Sequence, residues 1–182
     1  LFFLFFGGCG NGKQEESRTA YYFDTVVSLR LYGVKDEKVF EGCFAICEEL
    51  ERTFSRTRED SELYAVNHRS SDTVEVSEEL SELIKAGLSY YNITDGAFDI
   101  TVAPLSEIWD FKSREGKVPS EEILQEALDR VDASKVRLEG RTLTFASPDT
   151  MLELGAVVKG YAADRLKEYL EEQGVTAGTI NL

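Results

Sequence analysis

Hydrophobic side chains recur at helical spacing in several stretches of the chain. The clearest stripe runs over residues 37–54, where apolar positions fall every three or four residues and Asp36 precedes them as a helix cap. A short helical piece is predicted at 61–67. Ser77 caps a further helix with an apolar face, and another runs from Ser120 to about residue 130.

Other stretches alternate between apolar and polar positions, as half-buried strands do. Residues 20–32 form a long stretch of this kind, and 74–76 form a short one. Residues 135–138 and 142–145 predict a hairpin, and 92–105 is also strand-like. Because strands and helices mix without a regular βαβ period, the sequence predicts an α+β fold, with helices packed on a mostly antiparallel sheet.

The segment 153–164 joins a predicted strand, residues 143–154, to a predicted helix that begins near Tyr161. Gly155 and Gly160 lie between them, where backbone can approach a ligand closely. Lys159 lies near the start of the helix, a position that favours anions. The pattern fits a cradle for a diphosphate, and it fits equally a plain connection with a solvated lysine.

Composition narrows the possible partners. The 182 residues are enough for one domain, and a hydrophobic fraction of 42% supports a packed core. A net charge of −14 excludes nucleic acid as a natural partner, because phosphate contacts need clustered lysine and arginine. A phosphorylated ligand therefore needs local compensation from a lysine or a divalent cation.

The two ends of the sequence suggest processing and truncation. Residues 1–9 resemble the end of a lipoprotein signal peptide, in which Cys9 is lipidated, although a buried N-terminal strand is the alternative. Residues 10–18 are then expected to be a flexible tether and 19–182 the N-terminal part of a domain. The apolar run 178–182 is expected to be a strand that is cut short, and the sequence a fragment.

Several polar or reactive side chains have simple structural interpretations. Cys43 and Cys47 share one face of the first helix and are expected to be buried core residues rather than a disulfide. His68 is expected in an exposed loop without a catalytic role. Asp99 and Thr101 are polar positions in a strand-like run, and a solvent-facing edge explains them as well as a binding function does.

Four separate stretches form a set of motifs in a fixed order: residues 23–25; 54–57 with 61–63 and Asn67; 94–101 with Pro104, Leu105 and Trp109; and 153–164. Together they resemble the ApbE family, the FAD:protein FMN transferases. The resemblance implies an ApbE-like domain related to the T-fold, present here only in part. Many members of the family are also lipoproteins, in agreement with the interpretation of Cys9.

The resemblance implies an FAD site and a Mg²⁺ ion. FAD contacts are implied at these positions: Phe23, Thr57, Ala97, Phe98, Asp99, Glu153 and Lys159. The backbone carbonyl of Ala156 is implied as a Mg²⁺ ligand. The family usually has methionine at the position of Phe23 and aspartate at that of Glu153. Its side-chain metal ligands and its base lie beyond residue 182, so the catalytic residues stay unknown and this polypeptide alone is expected to be inactive.

The implied reaction moves FMN from FAD to a threonine hydroxyl of an acceptor protein and releases AMP. A lipid anchor at Cys9 would place the enzyme on the extracytoplasmic side of a bacterial cell membrane. Two other functions stay open: a lipoprotein that binds or hydrolyses FAD without transfer, and a non-enzymatic surface lipoprotein that binds a solute or partner. An aspartate-rich metal cluster in a C-terminal continuation would favour the enzyme.

Overall fold

A computed structural model describes residues 14–110, 113 and 116–182. The helices are α1 (Glu37–Phe54), α2 (Glu62–Asn67), α3 (Glu78–Ile93), α4 (Ala103–Trp109), α5 (Glu121–Leu128) and α6 (Gly155–Glu172), with a short 3₁₀ helix at Ala133–Lys135. The strands are β1 (Glu15–Tyr22), β2 (Thr25–Tyr32), β3 (Thr73–Glu75), β4 (Val136–Glu139), β5 (Thr142–Phe145) and β6 (Gly178–Asn181).

The described strands form two antiparallel sheets of three strands each, in the orders β1-β2-β6 and β3-β5-β4. This confirms the α+β fold with antiparallel pairing, although the strands are divided between two sheets instead of forming one. The hairpin of β4 and β5 pairs in the predicted place, with Val136 opposite Phe145. Strand β6 pairs with β2, where Leu29 lies opposite Ile180.

Helix α1 follows the prediction closely. Asp36 accepts a hydrogen bond from the Lys38 N–H, so it caps the first turn, and the predicted apolar stripe is buried. Cys43 and Cys47 are buried free thiols, as expected. Burial raises the pKa of Cys43 to about 12 and that of Cys47 to about 11, because a thiolate has no solvation there.

Two clusters of buried side chains form the core, and helices α1 and α6 contribute to both. The first cluster includes Leu50 from α1 and Val158 from α6. The second includes Phe40 and Leu166 from the same two helices, packed on β2. The C-terminal end of α1 therefore lies beside the N-terminal end of α6, and these two ends frame the site described below.

Strand β1 begins at Glu15, so residues 15–18 belong to a strand and not to the flexible tether expected over 10–18. The expected single strand over 20–32 is instead a hairpin that turns at Phe23 and Asp24. The sequence pattern missed this turn because neither residue is a glycine or asparagine, the usual signals of a two-residue hairpin. The expected lipidation site, Cys9, lies outside the described residues.

Two strand predictions in the second half of the chain were wrong. Residues 92–105 form the end of α3, a series of turns and the start of α4, and residues 146–154 leave the sheet after β5. Helix α6 starts at Gly155 rather than near Tyr161, so Gly160 lies inside the helix instead of in a turn. None of the helices that the structure describes is both long and apolar enough to cross a bilayer.

Candidate functional site

A cleft with a volume of about 660 Å³ opens beside the C-terminal end of α1. This volume is within the range of small-molecule and cofactor sites, roughly 300–1,000 Å³. Its walls come from the β1–β2 turn, the loop after α1, helix α4 and the start of α6. The lining residues are Tyr21, Phe23, Asp24, Leu50, Glu51, Phe54, Ser55, Arg56, Thr57, Arg58, Ser106, Glu107, Asp110, Glu153, Gly155, Val158 and Lys159.

The cleft brings together residues from three of the four sequence stretches that predicted a site. Phe23 comes from the first stretch and Thr57 from the second, while Glu153 and Lys159 come from the fourth. The three stretches lie far apart in the sequence. The fold therefore brings segments that were identified only by their sequence motifs together in one cavity.

The turn at one edge of the cleft has an unusual backbone. Phe23 and Asp24 have φ angles of 54° and 58°, in the left-handed region that favours glycine. Such a conformation costs a non-glycine residue roughly 1–2 kcal/mol. Asp110, at the end of α4, has a φ of 38°. Of the four non-glycine residues with positive φ in the described part of the chain, these three line the cleft, as backbone strain does at many functional sites.

Glu153 links the start of α6 to an arginine of the opposite wall. One carboxylate oxygen accepts a hydrogen bond of 3.0 Å from the Gly155 N–H, and the other accepts one of 2.6 Å from Nε of Arg56. The carboxylate satisfies a free N–H of the first helical turn, where the helix dipole also favours negative charge. Arg56 is nearly buried and bonds Glu107 at 3.1 Å as well.

A second arginine ties the loop after α1 to that helix. Arg58 donates hydrogen bonds to Asp60, Glu48 and Glu51. The bonds to Asp60 and Glu48 raise the pKa of Arg58, and the same arginine lowers the pKa of Asp60. Arg56 and Arg58, the arginines among the described lining residues, are therefore already paired with carboxylates.

Lys159 is the third basic side chain that lines the cleft in the part of the chain that the structure describes. It is exposed in the second turn of α6, and among the described residues its amine makes no ion pair. Among the described residues, the lining holds five carboxylates and three basic side chains, so this lining is acidic. Gly160 does not make a close backbone approach, since a Cβ placed there would have no atom within 4 Å.

The segment Ala97–Asp99 does not line the cleft. Ala97 is exposed, and the ring of Phe98 meets Tyr90 edge to face at 5.7 Å between centroids. The Asp99 carboxylate accepts hydrogen bonds from Thr101 at 2.6 Å and from the Ala133 N–H at 3.0 Å. The interpretation of Asp99 and Thr101 as a solvent-facing edge was wrong, because they brace this segment internally. An FAD contact there stays a prediction.

The described residues do not form a magnesium site by themselves. Ala156 lies in the first turn of α6, where its carbonyl belongs to the helical hydrogen-bond pattern. Within the described ranges, no three histidine, cysteine, aspartate or glutamate side chains are grouped so that they could hold a metal ion. One backbone oxygen is too little for a cation that requires six ligands.

Several residues of the cleft carried no role in the sequence interpretation, among them Arg56, Glu51 and Asp110. Arg56 lies within a quoted stretch, so the motif was a usable signal for it. Glu51 and Asp110 had no such signal, because neither helical periodicity nor local composition distinguishes them from solvated acidic residues. Glu51 bonds the Phe23 N–H in a distant segment, whereas Asp110 lines the cleft at the end of α4.

Comparison with known proteins gives consistent results. The family model described as ApbE family matches residues 23–182. The FAD:protein FMN transferase of Vibrio cholerae is 28% identical over 179 residues, which cover 94% of this chain and 54% of that protein. The corresponding protein of Klebsiella pneumoniae is 28% identical over 91% of this chain and 53% of its own length.

The fold also matches a solved structure. The flavin transferase ApbE from Vibrio cholerae superimposes with a TM-score of 0.86 at 25% identity, covering 93% of this chain and 57% of that one. The chain thus spans about half the length of the curated relatives that it matches.

Proposed function

The chain belongs to the ApbE family, and from that premise we propose that its cleft binds FAD for an FAD:protein FMN transferase. The full-length protein would move FMN from FAD to a threonine hydroxyl of an acceptor protein and release AMP. The observation that carries this proposal is the convergence of Phe23, Thr57, Glu153 and Lys159 on one cleft. A cleft of this volume suits a ligand with an apolar ring system and a charged linker.

The proposed reaction is a phosphoryl transfer. The threonine oxygen forms a bond to the phosphorus on the flavin side of the diphosphate, and the bond from that phosphorus to the bridging oxygen breaks. AMP leaves with the bridging oxygen, and the hydroxyl proton passes to a base or to solvent. Such a reaction needs positioning and neutralisation of charge more than covalent participation by the protein.

The described residues contribute to binding and orientation. Lys159 makes no ion pair with any other described residue, so its amine is available to the diphosphate, whereas Arg56 is held by Glu153 and Glu107. The apolar part of the lining, which includes Phe23 and Phe54, suits a flavin or adenine ring. Because the cleft is acidic, binding of a diphosphate requires compensation beyond Lys159.

A divalent cation would supply that compensation. The proposal therefore includes Mg²⁺, with the Ala156 carbonyl as one ligand, although the described residues do not provide the others. Loss of transfer after treatment with EDTA, and its return with added Mg²⁺, is the expected result in the full-length protein. Transfer that continues unchanged in EDTA would remove the cation from the proposal.

The location of the enzyme is a separate part of the proposal. Lipidation of Cys9 would anchor the protein to a membrane, and the acceptor would be an extracytoplasmic protein. A single acyl chain binds membranes only weakly, so stable anchoring requires further chains. Fractionation of cells that express the protein and its Cys9→Ala variant tests this: the variant should move to the soluble fraction, and retention in the membrane would contradict anchoring at Cys9.

The central experiment uses the full-length protein with FAD, Mg²⁺ and an acceptor. Transfer gives a fluorescent flavin band on the acceptor after denaturing electrophoresis. FMN and AMP without such a band would indicate hydrolysis. If the protein does not bind FAD, both transfer and hydrolysis are contradicted.

Lys159→Ala should weaken FAD binding about fivefold, equivalent to about 1 kcal/mol for one exposed charge pair. Lys167→Ala, on the same helix but paired with Glu171, is the control and should bind normally.

A further inference from the structure

Glu51 connects two walls of the cleft that come from different parts of the chain. One of its carboxylate oxygens accepts a hydrogen bond of 2.6 Å from the Phe23 N–H, in the β1–β2 turn. The other accepts one of 3.3 Å from Nη1 of Arg58, in the loop after α1. Its side chain is 20% exposed, so both bonds are partly shielded from water.

The turn needs such a partner because its backbone is unfavourable for the residues that it contains. Phe23 and Asp24 both have positive φ angles, which a two-residue hairpin normally assigns to asparagine and glycine. The Phe23 ring packs against both core clusters, so the turn sets the position of a ring that lines the cleft. A charge-assisted bond to the Phe23 N–H favours this one turn conformation over its alternatives.

The other bond fixes the loop that carries Thr57. Arg58 is the next residue in the chain, and its guanidinium is held on the other side by Asp60. Glu51 therefore also bonds the residue that follows Thr57 in the chain. Glu51, at the end of the long helix α1, provides a common anchor for both segments.

We propose that Glu51 is a positioning residue for FAD, which holds the Phe23 turn and the Thr57 loop in the relative arrangement that the ligand requires. This inference rests on the proposed function, since it assigns FAD to the cleft. Glu51 is not expected to contact the reacting atoms. Its removal should weaken FAD binding and raise KM, while kcat at saturating FAD changes little.

Glu48 provides a matched control on the same helix. It also bonds Arg58, at 3.1 Å, but it does not contact the turn. In the full-length protein, Glu51→Ala should raise the dissociation constant of FAD about tenfold, in line with one lost hydrogen bond to a charged group. Glu51→Gln keeps an acceptor for the Phe23 N–H, so its dissociation constant for FAD should rise only about threefold. The dissociation constant of Glu48→Ala should stay within about twofold of that of the unaltered protein.

A second substitution separates positioning from a general loss of stability. Asp24→Gly gives the turn a residue that accepts positive φ freely, so Glu51→Ala combined with Asp24→Gly should bind FAD within about threefold of Asp24→Gly alone. A merely structural role of Glu51 predicts no such recovery. Hydrogen exchange provides a readout without FAD: the Phe23 amide should exchange about tenfold faster in Glu51→Ala but not in Glu48→Ala.

The outcomes distinguish the inference from the proposed function. If the unaltered protein does not bind FAD, the proposed function fails, and exchange at Phe23 still decides whether Glu51 holds the turn. If the unaltered protein binds FAD, the inference is overturned by normal binding in Glu51→Ala, by equal weakening in Glu48→Ala, or by absence of recovery with Asp24→Gly.

Discussion

The buried amide of Asn67 gives the sharpest test of how the cleft is supported. Its Nδ2 donates a hydrogen bond of 2.9 Å to the Leu152 carbonyl, and its Oδ1 accepts one of 2.8 Å from the Leu152 N–H. One side chain thus replaces a strand partner for the segment 146–154, which has left the sheet. Because Leu152 directly precedes Glu153, this contact also fixes the entry to α6.

Substitution of Asn67 by alanine leaves both polar backbone groups of Leu152 without these partners in a buried place. An unsatisfied buried group costs roughly 1–3 kcal/mol, and two of them would cost up to twice that amount. Water can enter part of the space that the amide leaves, which reduces the penalty. We expect the free energy of unfolding to fall by about 2–4 kcal/mol, a large share of a typical total of about 5–15 kcal/mol.

Urea denaturation measures this change. The midpoint should shift to lower urea with an unchanged slope, and FAD binding should weaken because Glu153 loses its support. Asn92→Ala is the control, since Asn92 is exposed on α3 and its removal should change stability by less than about 0.5 kcal/mol. If Asn67→Ala is as stable as this control, then the two hydrogen bonds do not support the segment and the reasoning is refuted.

The remaining predictions concern two helical glycines and the buried thiols. Gly87→Ala should lower the free energy of unfolding by about 1–3 kcal/mol, because the new Cβ would lie 2.5 Å from Cγ2 of buried Ile100. Gly160→Ala, at an open position of α6, should instead raise the free energy of unfolding by about 0.5–1 kcal/mol. Equal changes of the melting temperature in the two variants would contradict the packing argument. Cys43 and Cys47 should resist a thiol reagent at pH 8 until denaturant is added, since their pKa values are raised to about 12 and about 11. Because deprotonation is easier in the unfolded chain, stability should decline as pH rises from about 9 towards those values, and a flat profile would contradict this cause.

Sequence alone determined the features that depend on neighbours in the chain. Helix α1, its cap at Asp36 and its buried stripe follow from spacing that a local pattern records. The same holds for the β4–β5 hairpin around Gly140, whose φ of 59° a glycine accepts easily. The motif stretches also identified the family, and four of the residues that they marked do line one cleft.

Tertiary structure decided the features in which a distant partner overrides local preference. The pattern at Phe23 indicates a continuous strand, but Glu51 and the core stabilise a turn there. The alternation in residues 146–154 indicates a strand, but Asn67 satisfies the backbone of Leu152 from outside any sheet. Glu153 belongs to the fourth motif stretch, and only the fold reveals that its carboxylate reaches Arg56. In each case the deciding energy comes from a contact between residues far apart in the chain, and such contacts leave no periodic trace in the local sequence.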